Sequence, residues 1–325
     1  MKQLKLTLIF ALVLLFLQGF AISAATKEPA PPSDLLGASD IAYLDFADFV
    51  KKTDSEKRKV LDQYGLKNFV YLAKQNKDGF QAVAFKSTDS KKIIIAFRGS
   101  DQFMQDWVVQ NGGSVVSGIA SVQAELARKF TKKILADSAK DNSDVFLTGH
   151  SLGGWLAQRI ALDQFNEKRF KMCVTFNAPG FYDPKTAKTV STIYKKIFSA
   201  VNPLNMFIAD YVIDYLKDTS DSIFTDAQWK AQLNGTYDTK VWNYVINGDL
   251  VGDLHGNKVG RHIGKTIMVT TSKKVSGTIT LNDALKCATS PLSILLNPVG
   301  CVAAKATKKK IDSIIALHGI DNFKP

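Results

Sequence analysis

One serine of this chain lies in a pattern that can turn its hydroxyl into a nucleophile. Residues 149–154 read GHSLGG, which places Ser151 in the pattern G-x-S-x-G. Val145 to Thr148 predicts a buried strand, and Gly153 to Asp163 has apolar residues at helical spacing. A sharp turn between such a strand and such a helix holds a serine in a strained conformation and requires glycine at both flanks. We therefore predict that Ser151 is a nucleophile.

The histidines are the candidates for the base that such a serine needs, since the hydroxyl must lose its proton to an imidazole. The sequence has four histidines. His150 precedes the nucleophile on the same turn, so we expect it to point elsewhere and to be structural. Among His255, His262 and His318 we favour His318, because the base comes last in the chain in folds that use this serine pattern.

Two aspartates are candidates for the acid that orients the imidazole. Asp249 follows the strand-like run Val241 to Ile246, at the turn Asn247-Gly248, where a carboxylate would sit on the rim of the sheet. Asp253 is the alternative, and both also fit an aspartate that is bonded to nearby backbone in a Gly-rich turn. No compact ligand pair has the spacing of a zinc site, so we expect neither a metal nor a cofactor.

An oxyanion formed by attack of the serine needs hydrogen-bond donors. We expect the backbone N–H of Leu152 to be one donor. Arg98-Gly99-Ser100 directly follows the apolar run Ile93 to Phe97, so Ser100 is the candidate for the second donor. The alternative is a tight turn with a salt bridge at Arg98, and we expect Arg98 itself to be architectural.

Together these segments resemble one known family, the class 3 or fungal-type lipases. The resemblance extends from about Phe80 to His318 and includes the stretch TFNAP at 175–179, which is similar to the family's T-F-G-x-P. The other matching segments are AFRGS at 96–100 with Asp106-Trp107, GHSLGG at 149–154, NGDLV at 247–251 and RHIG at 261–264.

The resemblance implies a serine esterase that cleaves acyl-lipid esters through an acyl-enzyme and uses no cofactor. It implies Ser151 as nucleophile, Asp249 rather than Asp253 as acid, and Ser100 as an oxyanion-hole residue. His318 matches the late catalytic histidine by position, whereas His262 falls on a position that is usually not the base. A noncatalytic lipid- or surface-binding protein with this fold, and a hydrolase of a non-lipid acyl bond, are the alternatives.

Strands and helices alternate along the chain, which predicts a mainly parallel, helix-covered sheet. The resemblance to the lipases implies that this sheet belongs to an α/β-hydrolase fold. Phe80 to Phe85 and Ile93 to Phe97 predict an antiparallel hairpin, Val115 to Ala136 a helix, and Met172 to Phe176 a strand. We expect one catalytic domain over residues 35–325.

A helical insertion is predicted at about residues 182–240. Within it, Met206 to Leu216 is apolar on most sides, which fits a buried helix or a lid over an apolar groove. The related lipases commonly place a lid soon after the R-G-S turn, but here residues 101–113 are short and polar-leaning.

The N-terminus has the plan of a secretory signal peptide over residues 1–25, with Lys2 and Lys5, an uncharged apolar run and then small residues. A membrane anchor is the alternative. Residues 26–34 read as a Pro-rich spacer. We therefore expect a secreted or periplasmic protein.

The charge of the chain favours contact with anionic membrane surfaces. The formal net charge is +12, and removal of the leader would lower it by the two lysines, to +10. The lysines at 305 and 308–310 have no interleaved aromatic residues, so we expect no nucleic acid partner. The apolar stretch around Cys173 predicts a buried thiol. The sequence does not decide whether Cys287 and Cys301 form a disulfide.

Overall fold

The computed structural model describes residues 29–99, 114–183, 224–271 and 316–324. The predicted leader, Ser100, the candidate lid Met206 to Leu216, Cys287, Cys301 and the lysines at 305 and 308–310 lie outside the described residues.

Seven strands form one sheet in the described part of the chain, and they lie side by side in chain order. The first three strands pair antiparallel, and every later neighbour pairs parallel. The α/β-hydrolase fold with its mainly parallel sheet is therefore confirmed, as is the hairpin. The strands are β1 Phe69–Lys77, β2 Phe80–Ser87, β3 Lys92–Phe97, β4 Asp144–His150, β5 Phe170–Phe176, β6 Val241–Ile246 and β7 Lys265–Val269.

Helices cover both faces of this sheet. The helices are α1 Ser33–Ile41, α2 Phe46–Lys51, α3 Asp54–Gln63, α4 Ser114–Asp137, α5 Leu152–Gln164 and α6 Asp226–Leu233, with a π-helix at Leu250–Val259. Short 3-10 helices lie at Ala139–Asp141, Thr236–Thr239 and Ile320–Phe323. Capping boxes begin α3 at Thr53 and α6 at Thr225, where each threonine and the residue three positions later satisfy one another's backbone N–H. Within the described ranges no helix is both long and apolar enough to cross a membrane.

Two hydrophobic cores lie on the two faces of the sheet, because successive residues of a strand point to opposite sides. Ala82 and Ala84 of β2 pack in the core that α4 and α5 complete. Val83 and Phe85 pack in the other core, with α1, α2 and α3. The C-terminal segment 316–324 contributes to this second core, so it lies on the same side of the sheet as the N-terminal helices.

Close approach of backbones fixes the turn between β4 and α5. Gly153 lies so near the end of β3 that a Cβ placed on it would be 2.1 Å from the carbonyl oxygen of Phe97. Only glycine fits there without a shift of the main chain. The first turn of α5 is thereby packed directly against the strand that leads into Arg98.

Replacing Gly153 with alanine is expected to lower the free energy of unfolding by about 1–3 kcal/mol, as for other over-packed interiors. Urea unfolding followed by circular dichroism measures this change. Gly319→Ala is the control, because the nearest atom to its new Cβ would be 3.7 Å away. Equal stability of the two variants would contradict the close packing at Gly153.

Candidate active site

Ser151 lies at the turn between β4 and α5 in a conformation that L-residues rarely adopt. Its φ is 56° and its ψ is −131°. Its N–H donates to the carbonyl of Phe176 at 3.0 Å, which ties the turn to the end of β5. Strain of this kind is retained where surrounding structure enforces it, and it is a mark of functional sites. The strand, turn and helix predicted around Ser151 are all present.

The structure brings His318 and Asp249 together, although they are far apart in the chain. His318 Nδ1 lies 3.0 Å from Asp249 Oδ2, and both side chains are buried. Asp249 ends the turn after β6, and its Oδ1 accepts from the N–H groups of Val251 and Gly252 at the start of the π-helix. These donors compensate the burial of the carboxylate. A carboxylate so placed holds the imidazole with its proton on Nδ1, which leaves Nε2 able to accept.

Among the buried polar atoms that have no hydrogen-bond partner in the described structure, two belong to the predicted nucleophile and base. They are the Oγ of Ser151 and the Nε2 of His318. His150, the neighbour of Ser151 in the chain, contacts His318 directly, so the two atoms lie in the same part of the molecule. Unpartnered buried polar groups are rare and often mark chemistry. In the absence of substrate, the hydrogen bond between a nucleophile and its base is often long or poorly aligned.

The turn that holds the predicted second oxyanion donor approaches Ser151 closely. A Cβ on Gly99 would lie 3.2 Å from the Cβ of Ser151 and 2.7 Å from the carbonyl oxygen of His150. Ser100 itself lies outside the described residues, so its role stays a prediction. Leu152 is the first residue of α5, where a backbone N–H has no acceptor within its own helix. The role of this N–H as an oxyanion donor stays a prediction.

Arg98 has the architectural position expected of it. Its Nη1 donates to Gln81 Oε1 at 2.6 Å, and its guanidinium lies over the ring of Tyr43 at 5.7 Å. The Tyr43 hydroxyl in turn lies 2.8 Å from His150 Nδ1. The start of the turn at Arg98-Gly99 is therefore held by β2 and by the loop after α1.

His150 does not point away from the site, and that expectation was wrong. Its ring lies 4.7 Å from the ring of His318, centroid to centroid, and its Nε2 contacts the carbonyl oxygen of His318 at 2.7 Å. The reason is that side chains alternate along β4, so His150 lies on the same face of the sheet as Thr148, which donates to the Leu35 carbonyl of α1. The segment that contains His318 packs on that face.

The other candidate side chains lie near the pair without joining it. His262 is buried, and its Nε2 donates to the carbonyl of Gly252 at 3.0 Å. Asp253 accepts from the N–H of Gly248 at 2.8 Å. Nothing is described of the His255 side chain. Among the side chains that the structure describes, no cluster of three His, Cys, Asp or Glu is arranged to hold a metal ion.

Asn177 lies against the His318 segment, and its sequence pattern alone did not single it out. It follows β5 with a φ of 44°, and its side chain spans from β6 to the His318 segment. The signal that points to it is the stretch TFNAP, in which asparagine stands where the related pattern has glycine. Asparagine tolerates positive φ better than other side chains do and adds an amide.

Two buried histidines should make stability depend on pH. Burial, together with the electrostatic effect of His318, lowers the pKa of His150 to about 3, although the bond to the His318 carbonyl acts to raise it. Burial lowers the pKa of His262 to about 4. The bond to the Gly252 carbonyl and the electrostatic effects of Asp253 and Asp249 act in the opposite direction. An unfolded histidine titrates near 6.5, so the unfolded chain takes up protons first as the pH falls.

We therefore expect the free energy of unfolding to be highest above pH 6.5 and to fall between pH about 6.5 and 4, by up to about 1.4 kcal/mol per pH unit for each histidine. Urea unfolding at a series of pH values tests this. His262→Gln keeps a donor for the Gly252 carbonyl. It should reduce the slope of the unfolding free energy against pH by the contribution of one proton. An unchanged slope would show that His262 is protonated in the folded chain.

The comparison with protein families identifies the kind of domain. The model of a phospholipase-like family, the Tle-like phospholipase domain, matches residues 37–251, which is more than half of the chain. This chain belongs to the Tle-like phospholipase domain family. The match confirms the resemblance to lipases predicted from the sequence, and the Tle-like domain is a lipid ester hydrolase of the lipase and phospholipase type. A search of the curated proteins found no sequence that matches it.

Solved lipase structures are similar to the Tle-like domain at low identity. The Rhizomucor miehei triacylglyceride lipase is 17% identical, with a TM-score of 0.45 over 82% of this chain and 94% of the other. Lipase II from Rhizopus niveus is 16% identical, with a TM-score of 0.44 over 82% and 94%. The Lip2 lipase from Yarrowia lipolytica is 12% identical, with a TM-score of 0.46 over 88% and 90%. Membership of the family rests on the family model and not on these superpositions.

Proposed function

We propose that this protein is an exported serine hydrolase that cleaves the acyl esters of phospholipids through Ser151, His318 and Asp249. The observation that carries the proposal is the pairing of His318 Nδ1 with the buried Asp249, next to a strained Ser151 whose Oγ has no partner among the described residues. The family description supports a phospholipid as substrate. The positive net charge favours the anionic surface of a membrane.

The proposed reaction has two steps. Ser151 Oγ attacks the ester carbonyl while His318 Nε2 takes the hydroxyl proton, and the Leu152 N–H and Ser100 stabilise the oxyanion. The His318 proton then passes to the departing lyso-lipid alcohol, which leaves an acyl group on Ser151. Water that gives its proton to His318 attacks this acyl-enzyme, and His318 returns that proton to Ser151 Oγ as the fatty acid leaves. Asp249 stabilises the imidazolium in both steps.

A fluorophosphonate tests the site directly. The folded protein should be phosphonylated at Ser151, which peptide mass spectrometry locates, and His318→Ala should abolish labelling. Labelling of another residue would overturn the assignment of the nucleophile. A folded protein that is not labelled and releases no fatty acid would instead be a noncatalytic lipid-binding protein.

A substrate series tests the lipid class. Fatty acid release is compared among vesicles of phosphatidylglycerol, vesicles of phosphatidylcholine, a triacylglycerol emulsion and a soluble short-chain ester. We expect the highest kcat/KM on the phospholipid vesicles, with the anionic vesicles preferred at low salt. Preference for the emulsion or the soluble ester would overturn the phospholipid assignment but leave the serine hydrolase in place.

Export is part of the proposal and rests on the leader-like residues 1–25. Expression of the full chain in a secreting host, followed by N-terminal sequencing of the product, tests it. A mature chain that begins near residue 26 supports export, and retention of residues 1–25 in a membrane fraction contradicts it.

A further inference from the structure

The main-chain carbonyl of His318 is bonded by two buried side chains. His150 Nε2 lies 2.7 Å from this oxygen, and Asn177 Nδ2 donates to it at 3.1 Å. Asn177 also donates to the carbonyl of Leu317 at 3.3 Å. His150 ends β4 and Asn177 directly follows β5, so both donors come from the carboxyl edge of the sheet. The backbone of His318 is thereby fixed to the same edge that presents Ser151.

The tautomer of His150 follows from its two partners. A carbonyl oxygen only accepts, so Nε2 must carry the proton. Nδ1 then accepts from the hydroxyl of Tyr43 at 2.8 Å. Burial lowers the pKa of His150 to about 3, so the ring is neutral and has a single N–H over the ordinary pH range. Tyr43 thus selects the form of His150 that reaches His318.

Asn177 is held as firmly as His150. Its Oδ1 accepts from the N–H of Ile246 in β6 at 2.8 Å, and its own N–H donates to the carbonyl of Tyr244 at 2.9 Å. Gly252 lies against it, since a Cβ on Gly252 would be 2.8 Å from the Asn177 Cα. The Asn177 amide that donates to the His318 carbonyl is therefore part of the same packing that supports Asp249.

His318 needs such an anchor because it does not lie on a strand. Residues 316–318 are helical and a 3-10 helix follows at Ile320–Phe323. The contact with Asp249 orients the ring about Nδ1, but the position of Nε2 relative to Ser151 also depends on the backbone. A displacement of about 1 Å at a reacting group can cost about 100-fold in rate.

On the proposed function, we infer that Asn177 and His150 are positioning residues that hold the base His318 by its main-chain carbonyl oxygen. Asn177 takes this role at a position where the related sequence pattern has glycine, which has no amide to donate. His150, which directly precedes the nucleophile in the chain, contacts the same carbonyl oxygen. Together with the bond to Asp249, these two contacts set the position of His318 relative to Ser151.

Asn177→Gly removes the amide and leaves a residue that accepts the φ of 44° without strain. We expect kcat on the soluble ester to fall by up to about 100-fold with little change in KM, because the loss is one of alignment and not of binding. Fluorophosphonate labelling should slow by a similar factor while its final extent stays at one label per folded chain. Asn142→Gly is the matched control, since Asn142 also has positive φ, 48°, but lies before the start of β4.

His150→Leu and His150→Gln provide the second test. Leucine removes the donor, and we expect the same slow labelling to full extent. Glutamine carries an amide that reaches the His318 carbonyl and should recover most of the rate. Gln232→Leu is the control for loss of a buried polar side chain, because Gln232 bonds only to Gly264 among the residues described, on a loop away from His318.

The possible outcomes separate the two levels of the proposal. If wild-type protein labels at Ser151 and the Asn177→Gly and His150→Leu variants label at the wild-type rate per folded chain, the positioning role is wrong. If the variants lose labelling extent in proportion to lost folding, as is expected of Gln232→Leu, the two residues are merely structural. If folded wild-type protein does not label at all, the proposed function itself fails.

Discussion

Replacing Ser151 with alanine is expected to lower hydrolysis of an acyl ester by about a million-fold, as in other enzymes that lose the nucleophile of a serine triad. The alanine removes the Oγ that has no partner among the described residues and leaves the turn and both flanking glycines in place. The residual rate would come from the oxyanion donors and from substrate binding alone. Steady-state release of fatty acid at saturating substrate measures the effect.

Ser39→Ala is the matched control for this experiment. Ser39 is also buried, in α1, and its Oγ likewise has no partner in the described structure. Removal of that hydroxyl should leave turnover unchanged. Both variants should keep the far-ultraviolet circular dichroism of the parent. A folded Ser151→Ala protein with near-normal turnover would place the chemistry elsewhere.

Replacing His318 with alanine should be comparably damaging, by about a million-fold, because nucleophile and base act as a unit. Without the imidazole, Ser151 has no acceptor for its proton, and the buried carboxylate of Asp249 loses its partner. The same ester assay, with fluorophosphonate labelling alongside, measures the loss.

His262→Ala is the comparison that decides between the candidate bases. His262 is as buried as His318, but its Nε2 is occupied by the Gly252 carbonyl. We expect a loss of stability, from the cavity and the freed carbonyl, and a much smaller loss of turnover per folded chain. If His262→Ala abolished turnover and His318→Ala did not, the base would be His262.

The central part of the fold could be predicted from the sequence because its signals are local. The apolar runs of β3 and β4, the glycines around Ser151 and the periodicity of α4 and α5 each appear within about ten residues. β6 was predicted at Val241 to Ile246, which is where it lies.

The N-terminal layer was harder to predict for a physical reason. In α3, only Leu61 is buried, so the helix shows little apolar periodicity and depends on its capping box at Thr53. β1 is an edge strand whose second half is largely polar. The π-helix at Leu250–Val259 was not predicted either, because a wide helix of this kind is fixed by packing rather than by side-chain pattern.

The residues of the site also differ in how far the sequence alone predicts them. Ser151 and Asp249 stand in recognisable segments, and His318 was reached by chain order. The contacts of His150 and Asn177 with the His318 carbonyl join residues more than a hundred positions apart, and a backbone acceptor is the same for every residue type. No pattern of side chains in the sequence predicts such a hydrogen bond. Only the asparagine in TFNAP marks it, as a departure from glycine.

The segment that contains His318 is held in place by contacts with parts of the chain that are synthesised much earlier. Phe323 packs against Phe176 of β5, with ring centroids 5.1 Å apart, and Lys324 forms an ion pair with Asp40 of α1 at 2.6 Å. A nascent chain contains Ser151 and Asp249 well before it contains His318. On the proposed assignment, a growing polypeptide therefore cannot hydrolyse the membrane that it crosses or passes. Lipid cleavage begins only after the His318 segment has been translated and has docked beside the first helix.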